Sequence, residues 1–320
     1  VLRDGTKTRV RFDGAKIDTY LANTDSWGTF DNDRSEKIRS ANCVGGQVAM
    51  WIHGGQHYML RYNPGKGSVR INQMHPEDGS NPRLLDTNWG YNWQNIVPFY
   101  SAAGNQPHLM LYDFGSGQVS FRRVHPDNAG TEELLTATIY KGWTHFTPVR
   151  FGGKPYMVAY DSRYGHFNVD RIRPTNDGFI SARKTNIGTG YTHIIPYKEG
   201  RRRYLLLYKG GSGKMRIVKL TREGSGAAET VQVETVWTDP RRKGWSHLAH
   251  LTRNGRNYLF GYDDKDGRAK IWQIRERGGG LEGMADLNWT AGFTAITPYS
   301  VGDTGHLLVH DMTDGRTRKV

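Results

Sequence analysis

Gly142-Trp143-Thr144-His145-Phe146-Thr147-Pro148, followed by Tyr156-Met157-Val158-Ala159-Tyr160-Asp161 and a glycine at 165, is the stretch on which the reading of this chain turns. It recurs with the same internal spacing: Gly190-Tyr191-Thr192-His193-Ile194-Ile195-Pro196 leads to Tyr204-Leu205-Leu206-Leu207-Tyr208 and Gly213. Gly244-Trp245-Ser246-His247 leads likewise to Tyr262-Asp263 and Gly267. Self-similarity at a fixed period marks a repeat architecture, in which one unit buries its apolar face only against its neighbours.

A Tyr-x4-Gly pair counts the units. It occurs at Tyr62 and Gly67, Tyr112 and Gly117, Tyr160 and Gly165, Tyr208 and Gly213, and Tyr262 and Gly267, and once more as His310 and Gly315. Successive members are 50, 48, 48, 54 and 48 residues apart. Each unit holds four strand-like runs, of which Val169-Asp170-Arg171-Ile172 is a third and Val231 to Trp237 a fourth. Four short antiparallel strands per repeat of this length predict an all-β fold, a β-propeller of six four-stranded blades. The sixth unit stops at Val320 before a fourth strand, whereas residues 1–27 contain one, Asp18-Thr19-Tyr20-Leu21-Ala22-Asn23. The N-terminal strand is therefore expected to close the ring, which removes an exposed sheet edge. The expected organisation is a single domain over 1–320, with closing strands in 1–27, a long polar loop over 28–43 and six repeats over 44–320. Residues 1–16 exceed what closure needs, so seven blades is the alternative count.

Composition agrees with short strands and tight turns: hydrophobic residues are 36%, aromatic residues 12%, and 40 of the 320 residues are glycine. No apolar run approaches the length of a membrane span. Val1 is not a start methionine and no signal peptide is visible, which fits a processed chain, and a secreted protein is expected. Cys43 is the only cysteine, which excludes an intrachain disulfide and a cysteine-based zinc cluster. The net charge of +13 implies attraction to polyanions. The tight basic clusters, Arg201-Arg202-Arg203 and Arg241-Arg242-Lys243, fall in predicted loops and do not form a nucleic-acid footprint, so nucleic acid is not an expected partner.

Two columns of the aligned repeats carry the candidate chemistry. The first is aromatic: Trp93, Trp143, Tyr191, Trp245 and Phe293, with Gly45 in the first unit. Such rings either pack between adjacent sheets or stack on sugars, and on the second reading Trp93, Trp143, Tyr191 and Trp245 bind substrate. Two residues later comes a polar column of Gln47, Asn95, His145, His193 and His247, ending in Ala295. It lies at the start of the first strand of each unit, the strand that lines a propeller's channel, so these side chains converge on the axis. They either satisfy backbone groups and ordered water there, or form a site in which Gln47 and Asn95 hold a substrate. His145, His193 and His247 would then act as general base and acid, or ligate a divalent cation in the central channel. No phosphate-binding glycine loop, nucleophile elbow, His-Glu-x-x-His motif or carboxylate pair is visible.

The Gly-Trp-Thr-His segment, the aliphatic strand ending in Tyr-Asp and the glycine turn resemble bacterial and fungal propeller lectins of the tectonin and tachylectin type, over about residues 43–320. That resemblance implies glycan binding at a sugar site repeated in each blade gap. The turns of this chain differ from one another, from Asn63-Pro64-Gly65-Lys66 to Ser162-Arg163-Tyr164 to Asp264-Lys265-Asp266, which departs from a set of equal sites. A more distant resemblance is to propeller polysaccharide lyases acting on glucuronate-containing chains. There, as the resemblance implies, His and Tyr remove the C5 proton of a uronate while Arg or a cation neutralises its carboxylate. The expected function is a secreted lectin-like propeller recognising glycans, with acidic polysaccharide the expected partner. The alternatives are a uronate-specific lyase using His145, His193 and His247, and a protein-interaction scaffold, since propellers host many functions.

Overall fold

The computed structural model describes residues 7–13, 16–22, 47–75, 80–90, 92–102, 106–240, 242–301, 304–310 and 317–319. The expected loop over 28–43 with Cys43, the first-unit Gly45, the cluster residue Arg241 and the last marker Gly315 lie outside the described residues. Two N-terminal strands, β1 (Lys7–Asp13) and β2 (Lys16–Ala22), pair with each other as an antiparallel hairpin. The first four-stranded sheet is β3 (Gln47–His53), β4 (Gln56–Asn63), β5 (Ser68–Met74) and β6 (Arg83–Asn88), and the second is β7 (Asn95–Tyr100), β8 (Pro107–Tyr112), β9 (Gln118–Val124) and β10 (Thr131–Thr138). The third is β11 (His145–Phe151), β12 (Lys154–Tyr160), β13 (His166–Ile172) and β14 (Phe179–Asn186). The fourth is β15 (His193–Glu199), β16 (Arg202–Lys209), β17 (Lys214–Glu223) and β18 (Thr230–Asp239). The fifth is β19 (His247–Arg253), β20 (Arg256–Tyr262), β21 (Arg268–Ile274) and β22 (Leu281–Asn288), and a three-stranded sheet of β23 (Ala295–Val301), β24 (Thr304–His310) and β25 (Thr317–Lys319) follows.

The fold is thus an all-β propeller of four-stranded blades, and among the described residues five blades are complete. The expectation of six blades, or of seven, is corrected on this point. The Tyr-x4-Gly marker counts turns between second and third strands, whereas a blade needs its outer strand, and the sixth unit shows only three. Among the described residues, the strand expected from residues 1–27 to close the ring is not paired into that sheet. β2 pairs with β1, a contact between near neighbours in sequence whose loop-closure entropy is far smaller than that of reaching a strand some 300 residues away.

Radial order within a blade follows from how each strand is covered. In the third blade β12 is buried from Pro155 to Tyr160, while the outer strand β14 contains no fully buried residue. Side chains alternate across a strand, so the two faces of β12 feed different cores. Tyr156, Val158 and Tyr160 pack with Leu205 and Leu207 of the fourth blade, whereas Met157 and Ala159 pack with Phe99, Met110 and Tyr112 of the second. This explains why second strands read as unbroken apolar runs. Each outer strand joins its neighbour through a register shift at an equivalent place, as at Val169/Asp170 and Ile217/Val218, a bulge that increases local twist.

The marker turn has a steric reason. Gly267 takes φ +75°, and a Cβ there would fall 2.0 Å from the carbonyl oxygen of Trp289 in the crossover to the next blade. Only glycine meets both conditions. The aspartate after the marker tyrosine fixes the same turn: the Arg163 amide donates to Asp161 Oδ1 at 2.9 Å and the Lys265 amide to Asp263 Oδ1 at 3.2 Å.

Candidate functional site

The marker tyrosines set the face of the propeller that carries both candidate columns. Each is fully buried, and its hydroxyl ties the blade to the crossover leading into the next. Tyr160 donates to the Gly188 carbonyl at 2.8 Å and accepts the Tyr191 amide at 3.2 Å. Tyr62 does the same with Gly90 and Trp93, Tyr112 with Tyr140 and Trp143, and Tyr262 with Thr290 and Phe293. The residue whose amide is held in this way is the aromatic-column residue. Trp93, Trp143 and Tyr191 are buried, each in a different inter-blade core, and Trp245 is half-buried with the Arg268 guanidinium 5.7 Å from its ring centroid. These four rings are not brought together.

The polar column is brought together. The inner strands β3, β7, β11, β15, β19 and β23 are successive neighbours, and each column residue stands opposite its own marker position, Gln47 against Tyr62, Asn95 against Tyr112 and His145 against Tyr160. The histidines make one repeated connection. His145 Nε2 lies 2.8 Å from the Thr192 carbonyl oxygen, His193 Nε2 3.1 Å from that of Ser246, and His247 Nε2 3.1 Å from that of Phe293. A carbonyl only accepts, so Nε2 carries the proton in all three.

The other ring nitrogen is used too. Thr144 Oγ1 lies 2.8 Å from His145 Nδ1 and accepts the Ser162 amide, while Thr192 Oγ1 lies 3.0 Å from His193 Nδ1 and accepts the Gly210 amide. Each hydroxyl carries one proton and has two acceptors in reach, the unprotonated Nδ1 and the carbonyl oxygen of Tyr160 at 3.0 Å or of Tyr208 at 3.2 Å, so the threonine ties the imidazole to the second strand of its own blade. Burial holds the pKa of all three imidazoles below the usual histidine value. His193 falls furthest, to about 4, through desolvation and then the proximity of His145 and His247. The three rings are therefore neutral at pH 7 and pinned. Among the described residues no group of three His, Cys, Asp or Glu side chains is placed to hold a metal ion.

A second cluster lies on the same face, in the gap between the second and third blades, and is built from residues that break the repeat. Tyr140 is 44% and Tyr164 58% exposed, two of the four exposed large hydrophobic side chains among the described residues. Both rings contact His166, Tyr140 edge-on at 5.7 Å and Tyr164 stacked at 5.8 Å. The Arg163 guanidinium sits over Tyr164 at 5.4 Å and over Phe114 at 5.0 Å, and the Tyr140 hydroxyl donates to Asp161 Oδ2 at 3.1 Å. Asp161 is fully buried. Gly142 makes room for this arrangement, since a Cβ there would lie 2.2 Å from an Arg163 Nη atom.

The cluster occurs once. Three residues before the aromatic column, where Tyr140 stands, the other units have Gly90, Gly188, Arg242 and Thr290. Before the turn glycine, where Tyr164 stands, they have Lys66, Ser116, Ser212 and Asp266. The turn Ser162-Arg163-Tyr164 reads as mere loop variation in sequence, and the available signal was an aromatic residue at two positions that elsewhere carry none. Chemically the cluster offers two solvent-facing rings, a guanidinium and an imidazole within one gap, braced from below by the buried Asp161 carboxylate.

No family model and no curated protein matches the chain. Among solved structures it is similar to the periplasmic gluconolactonase of Pseudomonas aeruginosa, at 15% identity and a TM-score of 0.53 over 97% of this chain and 90% of that one. It is also similar to proposed 6-phosphogluconolactonases from Bacteroides fragilis, at 13% identity and TM-score 0.52 over 85% and 92% of the two chains, and from Bacteroides uniformis, at 15% identity and TM-score 0.53 over 89% and 79%. At these identities the likeness is one of fold: the chain is built as a β-propeller.

Proposed function

We propose that this protein is a glycan-binding, lectin-like propeller acting outside the cell, with a single principal site at Tyr140, Tyr164, His166 and Arg163. The observation that carries the reading is the pair of exposed rings flanking His166. Exposed aromatic faces favour the C–H faces of a pyranose, because ring and sugar shed water while hydroxyl groups at the sugar edge reach polar partners. Arg163, half exposed, supplies a donor beside those rings, and the fully buried Asp161 holds both it, at 3.5 Å, and the Tyr140 hydroxyl in place. The gluconolactonase among the similar structures acts, by its name, on a sugar derivative, which accords with the reading without identifying a substrate.

The uronate-lyase alternative places a proton-abstracting base in the histidine column. A histidine there would have to exchange its contact with a neighbouring blade for a substrate proton, since Nδ1 and Nε2 of His145 and His193 are both engaged. That arrangement supports a structural role for the column. Titration calorimetry against neutral and uronate-containing oligosaccharides tests the proposal. It expects one site per chain, a loss of at least tenfold in affinity in Tyr164→Ala and Tyr140→Ala, and no unsaturated uronate by ultraviolet absorbance. Several equivalent sites, unchanged affinity in both variants, or growth of that absorbance would overturn it.

A further inference from the structure

The far ends of the inner strands carry a different chemistry from the histidine ends. β11, β15 and β19 each run seven residues from their histidine to a tight hairpin, a distance of about 20 Å. Near the first hairpin stands Arg150, and the second is built on Lys198, Arg201, Arg202 and Arg203. The third is flanked by Arg253 and Arg256. These three neighbouring hairpins thus present seven cations against one carboxylate, Glu199, with Lys154 beside them paired to Glu229. Corresponding hairpin residues of the first two blades, His53 to Gln56 and Ser101 to Pro107, include no Lys, Arg, Asp or Glu.

Arg202 pairs with Glu199 at 4.0 Å, and two of the other charges are held in place without being cancelled. Arg150 donates to the carbonyls of Tyr100, Ser101 and Gly153, and Arg203 donates to those of Arg150, Gly200 and Arg202. Their acceptors are neutral, so each guanidinium is oriented by the preceding blade and its own hairpin and keeps its field. Lys198, Arg201 and Arg256 are exposed and make no salt bridge among the described residues. Arg253 Nη1 is buried and has no hydrogen-bond partner among them, a donor lacking an acceptor.

We infer that this hairpin face is a second binding surface, and that its partner is an acidic polysaccharide whose carboxylates or sulfates follow the arc across the third, fourth and fifth blades. Guanidinium groups pair with such oxyanions in a two-bonded fork, and fixing them beforehand lowers the ordering cost of binding. Nucleic acid fits less well. The aromatic rings of these hairpins, Phe151, Tyr197, Tyr204 and Tyr258, are all buried and cannot stack bases. The hairpins are also short turns with no helix or ribbon standing out to enter a groove. The surface lies on the opposite end of the strands from Tyr164 and does not depend on the proposed sugar site.

Binding of heparin, polygalacturonate and a random-sequence DNA duplex, measured by fluorescence anisotropy between 50 and 300 mM NaCl, tests this inference. The wild-type protein should bind one or both polysaccharides at low salt, more tightly than the duplex, and lose affinity steeply as salt rises. Charge reversal at the exposed positions, Arg201→Glu, Arg202→Glu and Arg256→Glu together, should weaken polysaccharide binding at least tenfold, while leaving the affinity for short neutral oligosaccharides as in the wild type. Should the triple variant fail to fold, the milder pair Arg201→Gln and Arg256→Gln should still lower affinity severalfold. Absence of polysaccharide binding at 50 mM NaCl, affinity untouched in the folded charge variants, or tighter binding of the duplex would overturn the inference; the Tyr164 site is read separately, from the binding of short neutral oligosaccharides.

Discussion

His193 donates through Nε2 to the Ser246 carbonyl of the following blade at 3.1 Å, and this contact joins two sheets that share no backbone ladder. The same link runs from His145 to Thr192 and from His247 to Phe293. In the third to fifth blades the column is therefore a set of rivets at the axis, and the marker tyrosines supply a second set further out. Both depend on a donor of the right length at one position, which accounts for why three blades agree on histidine.

The first prediction concerns acid. The pKa of His193 is lowered in the folded protein to about 4 from 6.5. Between those values the unfolded chain binds a proton that the folded one does not, so folding stability is fully present above pH 6.5 and falls as the pH drops toward 4. The loss is on the order of 3 kcal/mol for this group, and His145 and His247 act in the same direction. His193→Gln keeps an amide donor and cannot titrate. Denaturant melts from pH 4 to 7.5 should show the variant less stable at pH 7 and with a shallower acid slope, and an unchanged slope would contradict the assignment.

Much of this was legible in the residues themselves. The four-stranded unit follows from the spacing of Tyr160 and Gly165 against Tyr208 and Gly213, because the turn admits only glycine and the strand before it must be apolar on both faces. The blade count was not, since a marker in the second-to-third turn says nothing about whether an outer strand follows. The meeting of the histidines at the axis could be read from their column. Their partners could not, because Thr192, Ser246 and Phe293 contribute backbone carbonyls, which leave no trace in side-chain identity. Tyr140 and Tyr164 were hidden for the opposite reason: comparison across repeats favours what recurs, and these two residues recur nowhere.

A second prediction tests the outer rivets. Tyr160→Phe removes one hydroxyl and strands two partners, the Gly188 carbonyl and the Tyr191 amide, at a position where the ring itself is fully buried. Leaving buried backbone groups unsatisfied costs about 1–3 kcal/mol. Equilibrium unfolding should show a loss in that range with the denaturant midpoint lowered and the slope unchanged. A loss below about 0.5 kcal/mol would mean that water replaces the hydroxyl.

A third prediction has the opposite pH sign. Burial raises the pKa of Asp170 to about 6 from 3.8, against the lowering effects of Ser181, Lys184 and Asn168, and its Oδ1 is buried without a hydrogen-bond partner among the described residues. Between pH 3.8 and 6 the folded chain holds the proton and the unfolded chain does not, so stability is lost as the pH rises through this window. Asp170→Asn removes the buried charge and should raise stability at pH 7 by about 1–2 kcal/mol, with the gain vanishing near pH 4. Because His193 and Asp170 pull in opposite directions across the same window, the wild-type profile reports neither, and each is read from the difference between its variant and the parent.

The last prediction concerns Glu229, which crosses from the fourth blade to the third. Its carboxylate is buried and takes the Tyr156 hydroxyl, with Lys154 at 3.0 Å and Arg171 and Arg222 at 3.5 Å. The pKa of Tyr156 is pushed up to about 12, first by burial and then by the carboxylate it serves. Glu229→Gln keeps the shape and one acceptor and leaves three cations facing one another without a counter-charge, so it should destabilise by about 2–4 kcal/mol at pH 7. Lys154 and Arg222 are 39% and 32% exposed, which allows water and salt to relieve part of that repulsion. The deficit should accordingly shrink when the melts are repeated at 1 M NaCl. A deficit indifferent to salt would instead locate the effect in the Tyr156 hydrogen bond, weakened or broken when the carboxylate becomes an amide, and Tyr156→Phe in the Glu229→Gln background, showing no further loss, would confirm that it is broken.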